Sequence, residues 1–139
     1  MQVKEAMHAG VEWVEPSTLV SDTAKKMHDL DIGAVPVCEK DRLVGMITDR
    51  DITCRAVAKG ADLSKLTVGD VMTKGIIYCR DTEDLQDAIH IMEDKKIRRM
   101  PVIGDDEKMV GMLSLGDVSH AASQALSGEV IKAVSDHHA

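Results

Sequence analysis

Apolar positions recur along this chain in two series that run in step. In the first, Val20, Thr23, Ala24, Met27 and Leu30 fall three and four residues apart, the spacing of one face of a helix. Leu85, Ala88, Ile89 and Met92 repeat that spacing in the second. Each series is followed by two short apolar runs around a polar turn: "AVPV" and "LVGMI" about "CEKDR", then "RMPV" and "MVGML" about "IGDDEK". That pattern predicts a β-hairpin in each half. A short strand is expected ahead of each helix, around Val11 to Val14 and around Ile76 to Cys79. Ser17 or Thr18, and Asp81 or Thr82, offer side-chain oxygens to cap the first helix of each half. The first helix should end near Asp31 and Gly33. A second helix should follow each hairpin, starting in the first half at Asp49 or Asp51, burying Ile52, Ala56 and Val57, and closing at Gly60.

The correspondence holds residue by residue. An advance of 65 positions carries Val3 onto Val68, Met7 onto Met72, Gly10 onto Gly75, Trp13 onto Tyr78, Asp22 onto Asp87, Met27 onto Met92, Ile32 onto Ile97 and Pro36-Val37 onto Pro101-Val102. After one extra residue in the second turn, an advance of 66 carries Val44-Gly45-Met46 onto Val110-Gly111-Met112 and Asp51 onto Asp117. A constant offset broken once, in a polar turn, is the trace of a duplication with a loop insertion. The predicted fold is α/β, with the order strand, helix, strand, strand, helix written twice. The repeats are assigned to 1–62 and 63–122, followed by a tail, 123–139, of helical character. Neither repeat can cover both faces of its own small sheet, so the two are expected to pack sheet to sheet about a pseudo-twofold axis. The connecting stretch "VAKGADLSKLTVGDVM" is too short and too poor in Pro and Ser to be a floppy tether.

Composition removes several function classes. No apolar run approaches the ~20 residues of a membrane span, and the start of the chain lacks a secretory signal pattern, so an intracellular, cytoplasmic protein is expected. A net charge of -7 opposes a broad nucleic-acid surface. One Trp, one Tyr and no Phe leave no platform for stacking bases; nine methionines do the bulk filling instead. Cys38, Cys54 and Cys79 contain no CxxC pair and are read as structural or incidental thiols. His8, His28, His90 and His120 lack ligand spacing, and His137-His138 reads as an ordinary chain end, so no metal site is expected. No nucleophile elbow, HExxH or Walker loop is present, which points away from an enzyme.

The chemistry lies in a phrase written twice, "VGMITDRDI" and "VGMLSLGDV". Its hydroxyl and acid can cap a helix N-terminus. They can equally hold a ligand, because a carboxylate accepts from the two vicinal hydroxyls of a ribose and a hydroxyl beside helix N-terminal amides suits a phosphate. Thr48 with Asp51, and Ser114 with Asp117, are the candidates. With the doubled "VPV" or "MPV" strand followed by G-h-h-[TS]-x-x-D-h, where h is apolar, the chain resembles a tandem pair of cystathionine β-synthase (CBS) domains, a Bateman module, over residues 3 to 122.

That resemblance implies a non-catalytic module, often dimeric, that binds adenine nucleotides (AMP, ADP or ATP, in some members NAD or S-adenosylmethionine) in clefts between the repeats. It implies that the module senses energy or metabolite state for a regulated partner protein. Carried over by position, it implies one site from Ser114 and Asp117 with Val14, Glu15, Val20, Gly33 and Ala34 around the base. The other would combine Thr48 and Asp51 with Cys79, Arg80, Leu85, Arg98 and Arg99. Pro36 and Pro101 belong to the flanking strands. In "KKIRRMPV", Arg99 lies in the same copy as Ser114 and Asp117, where its guanidinium can grip phosphate with two N–H donors. The Asp117 site is therefore expected to bind more tightly than the Asp51 site, near which Arg50 could add charge. The plainer alternative for "KKIRR" is a solvated basic patch at a helix end. For the whole chain the alternative is a structural dimerisation module with non-binding clefts, its tail helix packing a dimer or docking a partner.

Overall fold

The structure, a computed structural model, describes residues 1–136. In chain order its elements are β1 (His8–Ala9), α1 (Val20–Leu30), β2 (Ala34–Glu39), β3 (Arg42–Thr48), α2 (Asp49–Asp51), α3 (Val68–Val71), β4 (Cys79–Arg80), α4 (Leu85–Lys95), β5 (Arg99–Ile103), β6 (Met109–Ser114), α5 (Leu115–Ala121) and α6 (Gln124–Ser135). A short 3-10 turn, Val3–Glu5, precedes β1, and α2 widens into a π-helical stretch over Ile52–Val57.

Two compact units emerge, and they do not follow the division at residue 62. Glu12–Ile76 forms one unit, while Met1–Val11 packs with Ile77 and the residues after it to form the other. The opening segment of each repeat has thus been exchanged: 1–11 joins the second hairpin, and 66–76 joins the first.

In the unit Glu12–Ile76, β2 and β3 pair antiparallel and send Val35, Val37 and Ile47 into a core with Val20, Ala56 and Val68. Lys40 and Asp41 both have positive φ, 51° and 68°, in the two-residue loop. A turn of that handedness follows the right-handed twist of the strands it joins. Val14 bridges Val37 on one side of the hairpin and Thr73 bridges Met46 on the other. The strand expected at Val11 to Val14 is therefore a single bridge. The other unit shows the same arrangement in full, as a sheet ordered β1-β6-β5-β4 with only the β4–β5 pair parallel. Its core includes Val3, Ile89, Met92, Met100 and Leu113, and Val130 and Val134 of α6 join it. The inserted residue lies in the loop between β5 and β6, where Asp106 and Glu107 both take φ of 61°.

Several local expectations are corrected. The residue preceding α1 is Leu19, without a side-chain cap, and neither Ser17 nor Thr18 serves. The first amide of α1, that of Val20, donates instead to the carbonyl of Leu66, 2.9 Å away. In the second copy Asp84, not Asp81 or Thr82, caps α4 by accepting from the Gln86 amide. The first amide of α4, on Leu85, donates to Met1 O. Backbone from the exchanged segments therefore satisfies helix ends where a local side chain was expected. Leu30 and Val57, placed on apolar faces by the sequence pattern, are exposed. The tail is helical as α6, and His137-His138 lies outside the described residues. Among the described residues no helix is long and apolar enough to cross a membrane.

Candidate functional site

Each copy of the repeated phrase folds as a strand running into a helix. Thr48 ends β3 and Ser114 ends β6, both with extended backbone, and both are the N-caps of the helices that follow. In the first copy the Asp51 amide donates to Thr48 Oγ1 and the Thr48 amide donates to Asp51 Oδ2, each at 3.0 Å. In the second, the Ser114 amide and hydroxyl both donate to Asp117 Oδ2 at 2.9 Å, and the Asp117 amide donates back to Ser114 Oγ at 3.2 Å. These are reciprocal capping boxes. The hydroxyl and one carboxylate oxygen of each phrase thus have a structural duty, and a ligand would use the remaining oxygen, Oδ1.

What meets Oδ1 differs between the copies. Asp51 Oδ1 lies 3.7 Å from Arg55 Nε, and Thr73 Oγ1 stands 3.4 Å from both carboxylate oxygens. Arg55 is itself tied down, its Nη1 donating to the carbonyls of Val71 and Met72. Asp117 Oδ1 instead meets His8 Nδ1 at 2.5 Å, a contact between a carboxylate 7% exposed and an imidazole 71% exposed. His8 and Thr73 are counterparts in the duplication and take the same register, opposite Met112 and Met46.

The glycine of the phrase is explained by the same exchanged segments. A Cβ on Gly111 would sit 2.5 Å from the His8 carbonyl oxygen and 2.8 Å from Met7 Sδ. One on Gly45 would sit 2.9 Å from the Thr73 carbonyl oxygen and 2.8 Å from Met72 Sδ. The glycine lets the segment cross, the hydroxyl caps the helix, and the acid closes the cap and meets the segment's side chain.

The remaining candidates fall on both units. Arg99 opens β5 directly opposite Ser114, and Ala34 holds the equivalent place opposite Thr48. Arg98 and Arg99 are exposed, and among the described residues neither makes an ion pair. The Arg98 carbonyl accepts from the Leu115 amide as the Gly33 carbonyl does from Asp49. A Cβ on Gly33 would meet Asp49 Oδ2 at 2.9 Å, a contact that rotation of the exposed Asp49 side chain can relieve. Val14, Val20, Pro36, Cys79, Leu85 and Pro101 are buried, which leaves only their backbone for a ligand. Glu15 is exposed, and Arg80 is held by Glu107 at 2.6 Å, which raises the guanidinium pKa. Burial, with Glu83 and Asp81 nearby, pushes the Cys79 thiol up to about 12; burial and Asp41 push Cys38 up to about 11. Neither is a nucleophile at neutral pH. Arg55 and His8 were missed in the sequence. The four-residue spacing of Asp51 and Arg55 was a usable signal, whereas nothing local links His8 to Asp117.

A duplicated β-α-β-β-α unit whose strand-to-helix junctions carry G-h-h-[TS]-x-x-D defines the class, and the match to the CBS domain family covers residues 3–56 and 68–124. The chain belongs to that family. Hypoxic response protein 1 of Mycobacterium tuberculosis is 33% identical over 132 residues, which is 94% of this chain and 92% of that protein. A crystal structure of Hypoxic Response Protein I with two coordinated zinc ions superposes with a TM-score of 0.80 at 32% identity, covering 88% of this chain and 100% of that one. The crystal structure of CBSX2, an Arabidopsis thaliana CBS-pair protein, in complex with AMP gives 0.76 at 30% identity, covering 89% and 97%.

Proposed function

We propose that this chain is a regulatory module that binds an adenine nucleotide and performs no chemistry on it. In this reading Asp117 Oδ1 accepts from the ribose hydroxyls, the α5 N-terminus and Ser114 lie at the phosphates, and the exposed Arg99 supplies the positive charge. The observation that carries the reading is the position of Arg99 directly opposite Ser114 at the junction that also holds Asp117. It joins a flexible, exposed cation to a hydroxyl and a carboxylate, as a nucleoside phosphate requires. The AMP complex of the CBSX2 relative supports the ligand class. Asp51, with Oδ1 facing a tethered guanidinium and with Ala34 where the other copy has Arg99, is the weaker site. AMP, ADP and ATP are the first candidates, NAD and S-adenosylmethionine the next. The signal passes through a change in a homodimer or to a partner protein, in the cytoplasm.

Among the described residues no three His, Cys, Asp or Glu side chains gather into a group that could hold a metal ion. A second reading is favoured by one observation: the capping boxes already use the hydroxyls and acids internally. On that reading the phrase serves the fold alone. Isothermal titration with these five adenosine ligands separates the two. Micromolar binding lost in Asp117→Ala but retained in Asp51→Ala supports the nucleotide module. Binding by neither the wild type nor any variant leaves the structural reading.

A further inference from the structure

At the contact between His8 and Asp117, a largely exposed side chain covers the oxygen that the proposed ligand needs. We infer that His8 is a built-in competitor for Asp117, and that its side chain must swing away before a nucleotide's ribose can bind there. The inference rests on the nucleotide reading of Ser114 and Asp117.

The backbone of His8 cannot leave easily. It is paired with Met112, Ala9 is paired with Gly111, and the missing Cβ of Gly111 is what lets the His8 carbonyl approach. The imidazole is another matter: it is 71% exposed, and among the described residues its polar partner is Asp117 Oδ1 alone. Rotation about its side-chain bonds would return it to water while the strand stays in place. The first copy lacks this freedom: Arg55, beside Asp51, is anchored to two carbonyls, and Thr73, the counterpart of His8, makes only long 3.4 Å contacts. Only the Asp117 half-site therefore carries a movable occupant. By competition, the apparent dissociation constant is the intrinsic one divided by the fraction of molecules whose His8 has swung away. If the close contact carries an advantage comparable to that of one ordinary hydrogen bond, that fraction is about one fifth, and removing the occupant should tighten binding about fivefold.

The test is titration of AMP and ATP into the wild type, His8→Ala, His8→Asn and Asp117→Ala at one pH and ionic strength, with a melting temperature for each apo form. The expected result is binding about fivefold tighter in His8→Ala, near wild type in His8→Asn, which keeps an N–H donor at the position of Nδ1, and lost in Asp117→Ala. Unchanged or weaker binding in His8→Ala, with binding still lost in Asp117→Ala, overturns the inference and leaves the nucleotide reading standing. Tightening in His8→Asn as large as in His8→Ala also overturns it, because the polar contact at Nδ1 is then not what competes. Nucleotide bound by no variant, or bound equally by Asp117→Ala, removes the nucleotide reading and the inference together. A melting temperature that falls while affinity is unchanged marks His8 as a structural contact only.

Discussion

Replacing Gly111 by alanine tests the account of the exchanged segment directly. The new Cβ would stand 2.5 Å from the His8 carbonyl oxygen and 2.8 Å from Met7 Sδ. The sulfur is the far part of a flexible side chain and can move; the carbonyl belongs to a paired strand and cannot move alone. Overpacking of this kind costs about 2 kcal/mol, and a chain of this size loses about 4 °C in Tm for each kcal/mol, so a drop of about 8 °C is expected. Gly128, inside α6, is the control: nothing lies within 4 Å of its missing Cβ. There alanine should raise Tm by about 4 °C through helix propensity alone. Thermal melts of both variants, with hydrogen exchange at the β1 amides, make the measurement. Wild-type stability and undiminished β1 protection in Gly111→Ala would refute the claim that the glycine exists to let this segment cross.

Other outcomes follow from the same geometry. Gly45→Ala should destabilise in the same direction but less, since its Cβ stands 2.9 Å from the Thr73 carbonyl oxygen rather than 2.5 Å from that of His8. At pH 8 a thiol reagent should modify one cysteine per native chain, the exposed Cys54, while Cys38 and Cys79, pushed up to about 11 and 12, react only on unfolding; peptide mapping reads this out. Asp70 is held below the ordinary carboxyl range, first by the Thr67 amide and then by its hydroxyl. Its contribution to stability should be present above the unfolded carboxyl value and lost as pH falls through the lower folded midpoint, a dependence that Asp70→Asn removes in acid melts. Asp84→Ala should cost about 1 kcal/mol by removing the α4 cap.

The hairpins, both long helices of the repeats and the capped strand-to-helix junctions were legible because their signals are local: alternation, three-to-four spacing, and an oxygen three residues before an acid. The starts of α1 and α4 were not. "EPST" and "RDTED" each offer several capping side chains, and the choice among positions was made by distant backbone, Leu66 O on Val20 and Met1 O on Leu85. The period of 65 tells which residues correspond but not with which copy they pack, so the exchange of 1–11 and 66–76 could not be read from it. Thr48, Asp51, Ser114 and Asp117 could likewise be picked out, and Arg55 lay within reach of the four-residue rule, while His8, which no local spacing ties to Asp117, could not.

The exchange also fixes an order of events on the ribosome. Glu12–Ile76 is continuous, so everything it needs has been synthesised once residue 76 has left the exit tunnel. Met1–Val11 has no such prospect: His8 finds Met112 only after about 100 further residues have been made, a long loop to close, though one whose entropic cost rises slowly with length. Residues 1–11 therefore emerge well before the partners they pack against. Until then Val3, wholly buried once the unit is complete, has no core to enter.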